Sequence, residues 1–229
     1  MNLQALIFDV DGTLAETEEL HRRAFNEAFA EAGLDWSWDK ALYRELLKTT
    51  GGKERIQVYQ HDYLGDNKLL EWDEITKLHK SKTDRYVTIM SGGELNLRSG
   101  VDRLVAEARK AGLSLAVATT TSFENIDALC RCCWSKSAQD VFDVIAAGDE
   151  VQKKKPAPDV FQLALQRLSM PADVCIALED SRNGLLSAKA AGLRTIVTPG
   201  MYTEDQDFEG AAAIFLDMPR LAEITVALS

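Results

Sequence analysis

Apolar residues along the chain fall into short, nearly continuous runs. Between them lie longer stretches in which apolar positions recur every three or four residues. The runs are Leu3–Phe8, Leu113–Ala118, Val141–Ala146, Val174–Leu178, Arg194–Val197 and Ala213–Leu216. Runs of this kind predict strands buried on both faces. Val101–Ala111, Phe123–Arg131, Pro158–Leu168 and Ser181–Ala191 have helical length and spacing. Each of these helices joins one strand to the next, so an α/β fold is expected, a parallel sheet with helices on both faces. Gly112 and Gly192 follow helices, where a C-terminal cap needs a residue free to take positive φ.

One region breaks the alternation. From about Glu18 to Met90 no strand pattern is found. Leu20, Ala24, Ala28 and Ala32 recur four residues apart beside Phe25 and Phe29, which predicts an amphipathic helix, and Lys68–Met90 predicts another. Residues 17–90 thus read as a helical insert, and residues 1–16 and 91–229 as the sheet-bearing part. Ala15–Thr17 and Ser91-Gly92-Gly93 are the expected hinges.

Composition narrows the class. The 229 residues are 46% hydrophobic and 27% charged, an ordinary globular balance. No apolar run approaches the roughly 20 residues of a membrane helix. The net charge of −10 argues against a nucleic-acid partner. No basic leader or presequence is visible after Met1, so a cytoplasmic location is expected. Cys130 and Cys133 form a C-x-x-C spacing with no second pair and no nearby histidine, so Cys130, Cys132, Cys133 and Cys175 read as ordinary thiols.

Ligands of open parallel sheets bind beyond the C-terminal strand ends. Four polar clusters stand there or at a helix start: Asp9-Val10-Asp11-Gly12-Thr13, Thr119-Thr120-Thr121, Lys155-Pro156 and Glu179-Asp180. Any one alone has a plain structural explanation, such as a turn, a helix cap or a solvated lysine run. In this order they point to phosphoryl transfer. Carboxylates gathered at one edge invite a divalent ion such as Mg²⁺. A lysine and a hydroxyl hold the other phosphate oxygens, and one carboxylate can attack phosphorus while a second moves the proton.

The ordered set resembles the haloacid dehalogenase superfamily. Asp9–Thr13 matches its D-x-D-G-T motif, and Leu115–Thr119 an apolar strand ending in a hydroxyl. Lys155-Pro156-Ala157-Pro158-Asp159 matches K-P-x-P-x, and Leu178-Glu179-Asp180-Ser181 the E-D-S motif. The resemblance spans the chain and makes the insert similar to the small α-helical cap of the β-phosphoglucomutase-like branch. It implies Asp9 as nucleophile and Asp11 as general acid and base, with Thr119 and Lys155 on the transferring phosphate. It implies Mg²⁺ held by Asp9, Asp11 (through its backbone carbonyl) and Asp180, supported by Glu179. Thr120 and Asn183 would add hydrogen bonds.

Within that branch Glu16-Thr17-Glu18-Glu19-Leu20-His21, Thr49–Arg55 and Ala118-Thr119-Thr120 resemble the CbbY type, found with Calvin-cycle genes. That likeness implies a phosphatase acting on xylulose 1,5-bisphosphate. The insert holds 12 Lys and Arg against 14 Asp and Glu, with local basic segments at Arg44–Arg55 and Lys77–Arg85. Glu18, His21, Tyr43, Gly52, Lys53, Arg55, Lys82 and Arg85, with Thr120, are the candidate substrate-binding residues, and Lys53, Arg55, Lys82 and Arg85 among them the candidates for the second phosphate. A sugar-phosphate mutase shares every core motif and remains an alternative, and a non-catalytic protein of the same fold a lesser one. A small-molecule partner and a monomer are expected.

Overall fold

The computed structural model describes residues 2–65, 69–92 and 95–227. Contacts between residues divide the chain into two units, Met1–Thr17 with Leu95–Ser229, and Glu18–Glu94.

Among the described residues the first unit carries a six-stranded, all-parallel sheet in the order β3-β2-β1-β4-β5-β6. The strands are β1 (Ala5–Phe8), β2 (Ser114–Ala118), β3 (Val144–Ala146), β4 (Cys175–Glu179), β5 (Arg194–Val197) and β6 (Ala213–Ile214). The order reverses beside β1, so the loops after β1 and β4 leave the sheet next to each other, at the position where such sheets bind ligands. Register is fixed by Leu6 facing Leu115 on one side and Ile176 on the other.

Side chains alternate across the sheet. Ala5, Ile7, Ala116, Ala118, Ala146, Cys175 and Ala177 share a buried cluster with Val160, Phe161 and Ala164 of α8 (Asp159–Leu168) and Ala188 of α9 (Arg182–Ala190). Small residues on this face let the helices approach closely. The larger Leu6, Phe8, Leu115, Val117, Ile176 and Leu178 are equally buried, and α5 (Val101–Lys110) packs on β2.

β1 and β2 start later than their apolar runs, at Ala5 and Ser114, and the two edge strands are also shorter than predicted. Val141 ends a short helix, α7 (Ala138–Val141), because Ser137 and Asp140 form reciprocal capping bonds. At the other edge β6 stops at Ile214, and Leu216 is 89% exposed. The chain closes with α10 (Leu221–Ala227).

The second unit is helical: α1 (Glu18–Glu31), α2 (Lys40–Leu46), α3 (Gly52–Tyr63) and α4 (Trp72–Ser91). α1 packs along α4. Phe25, Phe29, Trp36, Trp38, Tyr43 and Tyr59 form an aromatic core with ring centroids 4.6 to 6.4 Å apart. α4 begins at Trp72 rather than Lys68, where the Glu74 carboxylate accepts from the Glu71 N–H at 2.9 Å; Lys68 and hinge residue Gly93 lie outside the described residues. α2 and α3 are absent from the sequence reading because α2 is only seven residues long and two of the four buried residues of α3, Arg55 and Gln60, are polar.

Candidate active site

Asp9 follows β1 directly, and its N–H donates to the Leu178 carbonyl at 2.9 Å, continuing the β1–β4 ladder by one residue. The chain then turns tightly, with Leu14 N–H on the Val10 carbonyl at 2.9 Å. Gly12 takes φ +80, and a Cβ there would overlap the Asp180 carboxylate. Only glycine satisfies both demands.

Lys155 reaches the same place from the segment before α8. Its Nζ lies 2.6 Å from Asp9 Oδ1 and 2.5 Å from Glu179 Oε1, over the Phe161 ring. Glu179 is the last residue of β4 and is fully buried. Its carboxylate occupies the space a Cβ on Gly184 would need, and it accepts from the Asp180 N–H at 3.2 Å. Asp180 accepts from the Thr203 hydroxyl at 3.1 Å. One carboxylate oxygen from each of Asp9, Glu179 and Asp180 lies within 4.8 Å of the others.

Three buried carboxylates thus face one ammonium. Burial pushes the Asp9 carboxyl up to about 8, although Lys155 pulls the other way. Asp9 and Glu179 together hold the Lys155 proton above its usual range in spite of burial. The cluster is short of positive charge and rich in hard oxygen donors, the set a divalent cation of the Mg²⁺ kind prefers.

Asp11 is set apart from this trio. Its Oδ1 accepts from Thr17 Oγ1 at 2.6 Å, which turns the carboxylate toward the end of the loop. Thr119 follows β2 with its N–H on the Ala146 carbonyl at 3.1 Å and is almost fully buried. Thr120 is half-buried, and Gly148 lacks a side chain where the Thr120 backbone passes. Asn183 is half-buried in the first turn of α9.

Arg98 ties these loops together. Its guanidinium donates to the Gly12 carbonyl, to the Thr198 and Pro199 carbonyls at 2.7 Å each, and pairs with Glu16 at 3.2 Å. Arg98 and Thr203 are absent from the sequence reading, because their partners are backbone carbonyls or a carboxylate far away in the chain. Gly184 is absent because its need for a bare Cα shows only once Glu179 is folded against it. Thr17 reads in the sequence as a hinge and not as a partner of Asp11.

In the helical unit, the buried Lys82 of α4 places Nζ 2.6 Å from Nδ1 of the buried His21 of α1. An ammonium only donates, so Nδ1 accepts and the ring proton sits on Nε2. His21 stacks on Tyr86 at 4.1 Å. Arg55 donates to Tyr43 Oη at 3.2 Å and to the Leu46 and Thr49 carbonyls, and Tyr43 Oη donates to Glu18 at 2.7 Å. His79 is pushed down to about 3, first by burial and then electrostatically by Lys82, Lys53, His21 and Arg55. A Cβ on Gly52 would overlap that ring. Arg85 stands away from this group, half-buried and paired with the exposed Glu31 at 2.9 Å. On α6 (Phe123–Trp134), burial pushes the Cys130 and Cys133 thiols up to about 12.

No helix among the described residues is long and apolar enough to cross a membrane. Residues 6–198 match the model of the haloacid dehalogenase-like hydrolases. The chain is 57% identical to protein CbbY of Cereibacter sphaeroides over 91% of its own length and 90% of that protein's. It is 40% identical to a CBBY-like protein of Arabidopsis thaliana, over 92% of this chain and 68% of that one. A crystal structure of CbbY from Rhodobacter sphaeroides with phosphate superposes with a TM-score of 0.93 at 54% identity, covering 97% of this chain and 99% of that one. A second, of an aspartate-to-asparagine variant of that protein in complex with xylulose-(1,5)bisphosphate, gives 0.92 at 54% identity over 96% and 98%. Matched residues, relatives and geometry agree: the chain belongs to the haloacid dehalogenase-like hydrolase family, groups with CbbY in it, and is a phosphatase.

Proposed function

We propose that the protein hydrolyses one phosphate of a sugar bisphosphate, xylulose 1,5-bisphosphate foremost, through a phosphoaspartate on Asp9 with Mg²⁺ bound. The observation that carries this reading is the separation of two carboxylates two residues apart. Asp9 lies in the buried group beside Lys155, and Asp11 is turned out of it by Thr17. In this reading one attacks and the other moves a proton.

Asp9, Asp180 and the Asp11 carbonyl would hold the cation, with Glu179 in support. When bound, Mg²⁺ supplies positive charge against the phosphoryl oxygens. An Asp9 oxygen attacks phosphorus, the bond to the sugar oxygen breaks, and Asp11 gives that oxygen a proton. Asp11 then takes a proton from water as the water attacks the phosphoaspartate, releasing inorganic phosphate and returning Asp9 as a carboxylate and Asp11 as the protonated acid it began as. Lys155 and Thr119 hold the non-bridging oxygens in line.

The helical unit serves as a cap in this reading. Its basic group of His21, Lys53, Arg55 and Lys82, with Glu18, Tyr43 and Gly52, receives the phosphate that is not transferred. Arg85 contributes least, since its guanidinium is already paired with Glu31. The complex of CbbY with xylulose-(1,5)bisphosphate supports this substrate class.

The test is phosphate release with Mg²⁺ from xylulose 1,5-bisphosphate, ribulose 1,5-bisphosphate, fructose 1,6-bisphosphate and glucose 1-phosphate, alongside Asp9→Asn. Fast release from the xylulose compound, lost in Asp9→Asn, is expected. Release that survives Asp9→Asn overturns the mechanism. No release from any compound overturns the substrate and turns the assay to mutase activity with a bisphosphate activator.

A further inference from the structure

The turn that follows β5 has no part in the chemistry above, yet it packs against the acid cluster. Thr198 N–H donates to the Glu179 carbonyl at 2.8 Å, extending the sheet to the level of the carboxylates. Arg98 then fixes the Thr198 and Pro199 carbonyls at 2.7 Å each. The turn closes on itself, with Thr203 N–H on the Gly200 carbonyl at 3.0 Å. A Cβ on Gly200 would stand 3.3 Å from both Asp180 Oδ2 and the Gly12 carbonyl. So the turn is held from one side by Arg98 and presses on the cluster from the other.

Thr203 sits at its end, 6% exposed. Its Oγ1 accepts from the Gly200 N–H at 2.8 Å. A hydroxyl has one proton to give. Two acceptors are in reach, Asp180 Oδ2 at 3.1 Å and the Gly200 carbonyl at 3.3 Å. The carboxylate is the nearer and the charged one, so the proton goes there. Accepting from one side and donating to the other leaves the hydroxyl a single orientation. That orientation fixes how the Asp180 carboxylate is turned beside Asp9 and Glu179.

We propose that Thr203 is a positioning residue that sets the affinity of this protein for its divalent cation through Asp180. The proposal rests on the reading that Asp180 is a Mg²⁺ ligand. Hydrogen-bond partners of metal ligands typically carry 10- to 100-fold in metal affinity.

The experiment follows the thermal midpoint of the purified full chain as MgCl₂ is titrated from EDTA-treated protein, for wild type, Thr203→Val and Thr203→Ser. Wild type is expected to gain stability with Mg²⁺. Thr203→Val should need about tenfold more Mg²⁺ for half of that gain. Thr203→Ser, which keeps the hydroxyl, should return to within about threefold of wild type on the same scale. A purely structural threonine would lower the metal-free midpoint and leave the half-saturating Mg²⁺ unchanged, and that result overturns the proposal. Absence of any Mg²⁺ response in wild type overturns instead the metal reading on which it rests. If Thr203→Val does not fold, Thr203→Cys, a weaker donor of the same reach, is held to the same criterion.

Discussion

Lys155 Nζ lies 2.6 Å from Asp9 Oδ1, and both side chains are almost fully out of water. The lysine therefore stabilises the buried carboxylates around it. Lys155→Met leaves buried carboxylates without their ammonium. Metal-free protein should lose about 3–5 kcal/mol in urea unfolding at neutral pH, the usual loss on breaking a buried ion pair. Added Mg²⁺ should return part of it. A loss below about 1 kcal/mol, the range of an exposed pair, would contradict this account.

In the proposed mechanism Asp11, held by the Thr17 hydroxyl, moves the proton. Asp11→Asn should lower turnover by about 10²- to 10⁴-fold, the range of a general acid-base group. Thr17→Val should lower it by about 10- to 100-fold, one charge-assisted hydrogen bond. Steady-state rates at saturating substrate check both. Equal losses would mean that Thr17 acts on something besides Asp11.

Arg98 holds three backbone carbonyls from two different loops. Arg98→Met removes the donors and keeps most of the stem. Stability should fall by about 1–3 kcal/mol, as when buried acceptors lose a partner. Equilibrium urea unfolding, with an unchanged m-value, is the measurement.

In the proposed reading Lys53 belongs to the group that receives the phosphate that is not transferred. Lys53→Ala should raise KM chiefly for the bisphosphate and leave small monophosphates near their wild-type rates. Equal losses on both classes would remove Lys53 from the second-phosphate role.

His79 gives a pH signature. Its folded value is near 3 against an ordinary 6.5, held down by burial, Lys82, Lys53, His21 and Arg55. The unfolded chain therefore binds more protons between those two values, and stability falls as pH drops from about 6.5 toward 3. The slope from one such group is at most about 1.4 kcal/mol per pH unit. His79→Gln should flatten urea-unfolding stability across pH 6.5 to 4 relative to wild type. An identical profile would show that His79 is free to take up a proton in the fold.

The sheet was legible because its strands are continuous apolar runs, and the core of the site because Asp9, Asp11, Thr119, Lys155, Glu179 and Asp180 lie at strand ends or just before a helix. The misread edges have local causes. The Ser137–Asp140 capping box pulled Val141 into a helix, and nothing buries Leu216. In the insert, residue type gave the basic character but not its arrangement. Arg55 turned inward to Tyr43 and two carbonyls, and Arg85 outward to Glu31, though both read alike as cations. Thr203 and Arg98 were invisible for one shared reason: each matters through partners brought near only by the pairing of strands distant in the chain.

The bond from Thr17 to Asp11 also bears on how such proteins exchange parts. Thr17 is the last residue of the sheet-bearing unit before the helical one begins at Glu18. A foreign insert spliced in after Thr17 leaves the tether of Asp11 in place. The same insert spliced in one residue earlier brings its own residue to that position, and the acid loses its orienting hydroxyl unless the donor happens to supply one. The entry joint is thus not a neutral seam for recombination: a shift of one residue decides whether a chimaera inherits its proton carrier already aimed.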